Sequence, residues 1–279
     1  MDSISFELDK CIGKIGSEVS NIKRPQGLAI DTINENIYIV DEGNRKVLVY
    51  TIGGEFILEF PKKLGYILRG ACGIAVKFNK VFVTEEFRST ISVFSLEGNF
   101  LTRFDGRTLF IKESLDVPTG ITVAKDGTVF ACDCFNSNIV IFTEELIPQI
   151  YILPAGKLPK DVKLLNDRTL AILNGDTKCI MLINLEDGNK EDMIVNRKEG
   201  DVYNPIFFEI YLNEYILISD YENNTIKIFS KKGKLLNVIG KSGEMFNYPT
   251  GIAVHSNTQT LISVCRKEHS PIQFFKLET

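Results

Sequence analysis

Apolar and polar residues alternate with a period of two along most of this chain. The runs are short, as in Lys46-Val-Leu-Val-Tyr50 and Thr225-Ile-Lys-Ile-Phe229, and rich in β-branched and aromatic residues. Such runs read as short β-strands with one face for a core. Gly, Asn and Asp punctuate them where hairpins must turn, at Gly53-Gly54, Glu97-Gly98-Asn99, Asp126-Gly127 and Lys232-Gly233. No stretch carries helical periodicity over the length a helix needs.

The strands recur in units that align without forcing. Pro25-Gln26-Gly27-Leu28-Ala29-Ile30 opens the first, and Ala71-Cys72-Gly73 and Pro118-Thr119-Gly120 open the next two. The fourth is worn and opens on Pro159-Lys160-Asp161; Pro205 and Pro249-Thr250-Gly251 open the last two. Successive units start 41 to 47 residues apart, which suits one four-stranded blade each. A lone four-stranded sheet has two faces to bury, and six packed radially bury them. The expected fold is all-β: one six-bladed β-propeller of four-stranded antiparallel blades over residues 1–279. Its blades are expected near 25–60, 68–104, 117–153, 158–195, 203–240 and 248–277. The last unit ends after three strands, and residues 10–16 resemble a fourth strand elsewhere. Cys11–Ile15 is therefore expected to close the ring and protect the terminal edges. Ile4–Leu8 also reads as a third strand, duplicating Ile272–Leu277.

Composition narrows the chemistry. The 279 residues are 44% hydrophobic, enough for a full core, and carry a net charge of −4. No apolar run is long enough to span a membrane, and the start, MDSISFELDK, lacks the features of a signal peptide. Only two His are present, His255 and His269, too few for a three-His zinc site. The six Cys are scattered, which reads as buried free thiols in a reducing, cytoplasmic setting. Cys132-Asp133-Cys134 offers at most half a metal site.

The pattern P-x-G-[IL]-A-[IV], then D-x-x-N within a hairpin, then G-x-[FL]-[IL], resembles the NHL repeat. Pro25–Phe60 and Val117–Phe142 carry it best. The resemblance implies a propeller that serves as a recognition platform, as in the TRIM-NHL ubiquitin ligases, which bind proteins or single-stranded RNA on one face. Six-bladed propellers also host calcium-dependent lactonases, which need axial carboxylate, Asn or His ligands.

Two loop sets meet at one mouth of such a ring. The Asp-x-x-Asn turn has Asp41, Glu85, Asp133, Asn174, Asp220 and Arg266 at its first position, and Asn44, Arg88, Asn136, Thr177, Asn223 and His269 at its last. Asp41, Asp133 and Asp220 read as turn-formers. Arg88, Arg266 and His269 gain nothing for a turn and are expected to face a partner. The middle position of Pro-x-Gly reads Gln26, Cys72, Thr119, Lys160, Ile206 and Thr250, a poor cage for a hard cation and poor catalytic equipment.

Blades six, one and two carry the basic loop residues Lys23, Arg24, Arg45, Arg69, Arg88, Arg266 and Lys267, whereas blades three to five are acidic. One mouth is thus expected to be polarised, a surface that orients a charged partner. Gln26, Phe87, Tyr248 and His269 complete the expected contact set. The resulting expectation is a non-enzymatic platform for a protein partner, such as the substrate-selecting part of a ubiquitin ligase. The alternative is single-stranded RNA on the basic arc. No catalytic residue, metal, cofactor, membrane or small-molecule substrate is expected.

Overall fold

The computed structural model describes residues 4–14, 16, 21–61, 66–105, 115–145, 147–193, 202–240, 245–266 and 271–278. They form six four-stranded antiparallel sheets arranged in a ring. In five blades the strands follow chain order from the axis outward. Blade one, for example, runs Pro25–Asp31, Asn36–Asp41, Lys46–Thr51 and Phe56–Phe60. In blade six the outermost strand is Ser5–Ile12, paired antiparallel with Ile272–Glu278. A register shift between Leu8 and Lys10 marks a bulge in it. Ser5–Leu8 and Lys10–Ile12 are therefore two halves of one closing strand, and Ile15 lies outside the described residues. The Asn237 side-chain amide donates to the Ile4 carbonyl at 3.1 Å and ties the closing strand to blade five. No helix among the described residues is long and apolar enough to cross a membrane.

The core lies in the seams between blades. Six apolar clusters each combine residues of two neighbouring blades, such as Tyr38 and Val40 with Val81 and Val83, or Phe82 and Ile91 with Val129 and Ala131. Alternation along each strand feeds the two flanking seams in turn. Five of the six cysteines are buried. Burial pushes the Cys72 and Cys132 thiols well above the usual range, where they are poor nucleophiles.

The hairpin acids hold the loops that enter each blade. Asp41 accepts the backbone N–H groups of Lys23 and Arg24 at 3.0 and 3.1 Å, and Asn44 donates to its other oxygen at 2.7 Å. Asp220 does the same for Tyr203 and Asn204, with Asn223 and Lys227 on its second oxygen. The bonded N–H groups thus belong to the incoming loop and not to the turn itself. The residue after the motif Asn takes the left-handed conformation, at Arg45, Ser137 and Asn224.

Crowding is greatest where the six innermost strands meet. A Cβ on Gly27 would lie 2.5 Å from the Cys72 carbonyl oxygen and 3.2 Å from the Gly73 Cα. Gly73, Gly120 and Gly251 meet the backbone of the next blade in the same way. The Gly of Pro-x-Gly is thus a clearance requirement between blades. Gly27→Ala should cost at least about 3 kcal/mol in urea unfolding, since backbone must move. Gly53→Ala, whose nearest atom would be the Thr51 hydroxyl at 3.4 Å, should be close to neutral. Equal effects at the two positions would contradict this packing.

Candidate functional site

The sequence-expected contact residues lie at the upper mouth, where the innermost strands begin. Several are already engaged. Arg24 pairs with Glu42 at 2.6 Å. Arg88 pairs with the buried Glu85 at 3.3 Å and lies over the Tyr66 ring. Arg266 lies over Tyr221, whose ring packs against Tyr248 at 4.8 Å. Lys23, Arg45 and Arg69 are exposed, Gln26 is half-buried, and Phe87 is 76% exposed above Gly70. Lys267 and His269 lie outside the described residues. The middle residues of Pro-x-Gly act in part as inter-blade staples. The Thr119 and Thr250 hydroxyls each donate at 3.0 Å to the Pro carbonyl that opens the next blade, Pro159 and Pro25.

The cavity lies at the other end. Where the innermost strands finish, all six line a space of about 670 Å³. Its walls repeat the repeat. The residue two after the Gly position lines it in every blade, as Ala29, Ala75, Thr122, Lys163, Glu209 and Ala253. The next residue also lines it in every blade, as Ile30, Val76, Val123, Leu164, Ile210 and Val254. Blades four and five therefore interrupt the ring of small residues with an ammonium and a carboxylate, while the aliphatic residues that follow also pack against the seams between blades.

The same two blades break the Gly position above. Asp161 and Phe207 stand where the other blades have Gly, and both line a constriction of about 10 Å³ together with Gly27, Gly73 and Lys163. Asp161 is buried and bridges the seam: its two oxygens accept the Val162 N–H at 2.9 Å and the Phe208 N–H of blade five at 3.1 Å. The Lys163 ammonium lies 3.7 Å from Glu209, whose other oxygen accepts the Ile210 N–H at 2.9 Å. Burial raises the Asp161 carboxyl to about 6, against the opposing pull of Lys163 and the two N–H groups. Burial alone would lower Lys163, but Glu209 and Asp161 outweigh it and hold its charge above the usual lysine range.

This arrangement provides a carboxylate open to a cavity, a fixed cation beside it and a second carboxyl beneath. It does not fit a divalent metal. Lys163 interacts with both carboxyl groups, and among the described residues no three His, Cys, Asp or Glu gather as ligands.

No family model matches the chain, and no curated protein matches it. Solved structures do. A gluconolactonase from Xanthomonas campestris superimposes with a TM-score of 0.68 at 15% identity, covering 100% of this chain and 99% of that one. A streptogramin B lyase gives 0.63 at 16%, covering 99% and 88%. A chain of a nidogen–laminin complex gives 0.65 at 18%, covering 89% and 96%. At these identities the likeness establishes the six-bladed fold. None of the three links the chain to TRIM-NHL ligases.

Two sequence expectations are corrected here: that the chain is a non-enzymatic platform for a protein or single-stranded RNA, and that it is no enzyme. Full-length matches to a lactonase and a lyase overturn both. The expectation rested on the middle position of Pro-x-Gly, whereas the charged pair Lys163 and Glu209 stands two residues after the Gly position.

A carboxyl whose folded pKa is raised stabilises the fold fully at low pH and loses that contribution as pH rises through the folded value. For Asp161, raised from 3.8 to about 6, the difference is about 3 kcal/mol. Wild-type stability should therefore fall by about that amount relative to Asp161→Asn between about pH 4 and pH 7.5. Parallel urea-unfolding profiles for the two proteins would contradict the assignment.

Proposed function

We propose that the chain is a small-molecule enzyme that opens a carboxylic ester in the lower cavity. This reading departs from the expectation of no small-molecule substrate. The observation that carries it is the placement of Lys163 and Glu209. They occupy, in adjacent blades, the axial position that is Ala or Thr in the other four, and both line the lower cavity. Charges at such a site cost desolvation and are kept where they do chemistry.

The roles follow from the groups. Glu209 takes a proton from water as the water oxygen bonds to the ester carbonyl carbon. Lys163 faces the negative charge that develops on the carbonyl oxygen. The carbon–oxygen bond to the alcohol then breaks, and the departing oxygen takes the proton back from Glu209. Asp161, beneath, helps hold Lys163 charged. The gluconolactonase named above supports an ester as substrate. The NHL likeness of the repeat describes its turn chemistry and is carried no further.

In an assay over aliphatic and aromatic esters and lactones, the wild-type chain should release the hydroxy acid or the acid and alcohol. Glu209→Gln should lower kcat by at least about 100-fold with KM little changed, and Lys163→Met should cost kcat/KM about as much. Turnover that survives both substitutions, or no turnover of any ester, would overturn the proposal.

A further inference from the structure

The charges that line the lower cavity are not spread evenly around it. Lys77, Lys125 and Lys163 stand on three consecutive blades, two to four. The carboxylates that share the space, Glu209 and Asp31, stand on blades five and one. Both carboxylates are already engaged. Asp31 is buried and accepts the Ile33 N–H at 3.0 Å and the Asn34 side-chain amide at 2.7 Å, while Glu209 is held by Lys163. The two outer lysines are not so held. Lys77 is exposed, lies 5.9 Å from the Phe78 ring centroid and forms no ion pair among the described residues. Lys125 pairs with Asp167 at 3.1 Å, but the two side chains are 80% and 73% exposed, and such a pair holds weakly in water.

The lysines also differ in depth. Lys77 is two residues beyond Ala75, which shares the level of Lys163 and Glu209. At about 3.3 Å per strand residue, its Cα stands roughly 7 Å nearer the mouth than the charged pair. Lys125 follows Thr122 by three residues and lines the mouth of the next blade. The wall adds hydrogen-bonding side chains at both levels, Thr122 beside the pair and Thr32, Asn79 and Asn213 toward the mouth. A molecule seated at the pair therefore extends past polar groups toward two available ammonium groups.

We infer that the substrate is a polar ester or lactone that carries a second, negatively charged group, with its carbonyl at Lys163 and Glu209 and its anion against Lys77 and Lys125. This rests on the ester-opening reading and names the substrate class. Lysine is a compact point charge and accepts a carboxylate or a phosphate alike. The anion gains from both ammonium groups, and hydroxyl groups along the body find partners on the Thr and Asn side chains.

The test has two arms. In the first, kcat/KM is measured for pairs that differ in one charged group: the monolactone of glucaric acid beside glucono-lactone, phosphorylated glucono-lactone beside the same compound, and the methyl half-ester of glutaric acid beside its carboxamide. At low ionic strength an anionic member should be favoured by about tenfold, and salt should shrink the ratio. Whichever anion gives the larger ratio identifies the group. Lys77→Gln with Lys125→Gln should bring the ratio to within about twofold of unity, and the double change to Glu should invert it. Neutral members used as well as anionic ones, or a ratio indifferent to both double variants, overturns the inference and leaves ester opening intact. In the second arm, calorimetry follows glucarate and gluconate binding to Glu209→Gln. Glucarate should bind about tenfold more tightly, and that advantage should vanish when Lys77 and Lys125 are also Gln. A lysine-dependent glucarate advantage without turnover of any ester would overturn the ester-opening reading while keeping the anionic-ligand inference. No glucarate advantage would overturn the inference.

Discussion

The fold depends on how closely six innermost strands approach one another at the axis. At Gly27, Gly73, Gly120 and Gly251 the next blade's backbone occupies the place of a side chain. No other residue fits there without moving main chain. That clearance fixes the pitch of the ring, and the apolar seams follow from it, since blades held at that spacing bring their side chains into register. The loops above are then pinned by buried acids such as Asp41 and Asp220, which accept the backbone N–H groups of the incoming loops.

Blades four and five break the glycine rule together. Asp161 and Phe207 replace Gly, and Lys163 and Glu209 follow two residues later in each case. Asp161 compensates for its bulk by bonding the blade-five backbone, so the seam stays closed through a hydrogen bond. The cost of a buried carboxylate is offset in part by Lys163, which is held in turn by Glu209. The irregular seam is thus an ordered constellation, and it faces the cavity. Sites are commonly found where a repeat departs from its own rule and the departure is compensated.

The fold was largely legible in the residues. Strand period, turn residues and repeat spacing sufficed for six blades, and the sequence placed the ring closure at the N-terminal strand. The site was not legible, for a reason that is geometric. In a strand, neighbouring positions face opposite ways, so choosing the middle residue of Pro-x-Gly as the axial one shifts every assignment by one. Thr119 and Thr250 turn into the seams instead. The worn fourth unit also read as erosion, whereas Asp161 and Lys163 are its informative residues. A usable signal was present: charged residues at strand positions that are Gly and Ala in the sister units are out of place unless paired. Glu209, in the next unit at the same position, was the partner.

The most direct measurement is a crystal structure of the protein with an alkylphosphonate, a stable mimic of the tetrahedral intermediate. The charged pair at the axis predicts a phosphonyl oxygen about 3 Å from the Lys163 ammonium, inside the lower cavity. A phosphonate seated instead at the upper mouth, beside Arg24, Arg69 or Arg88, would contradict the account.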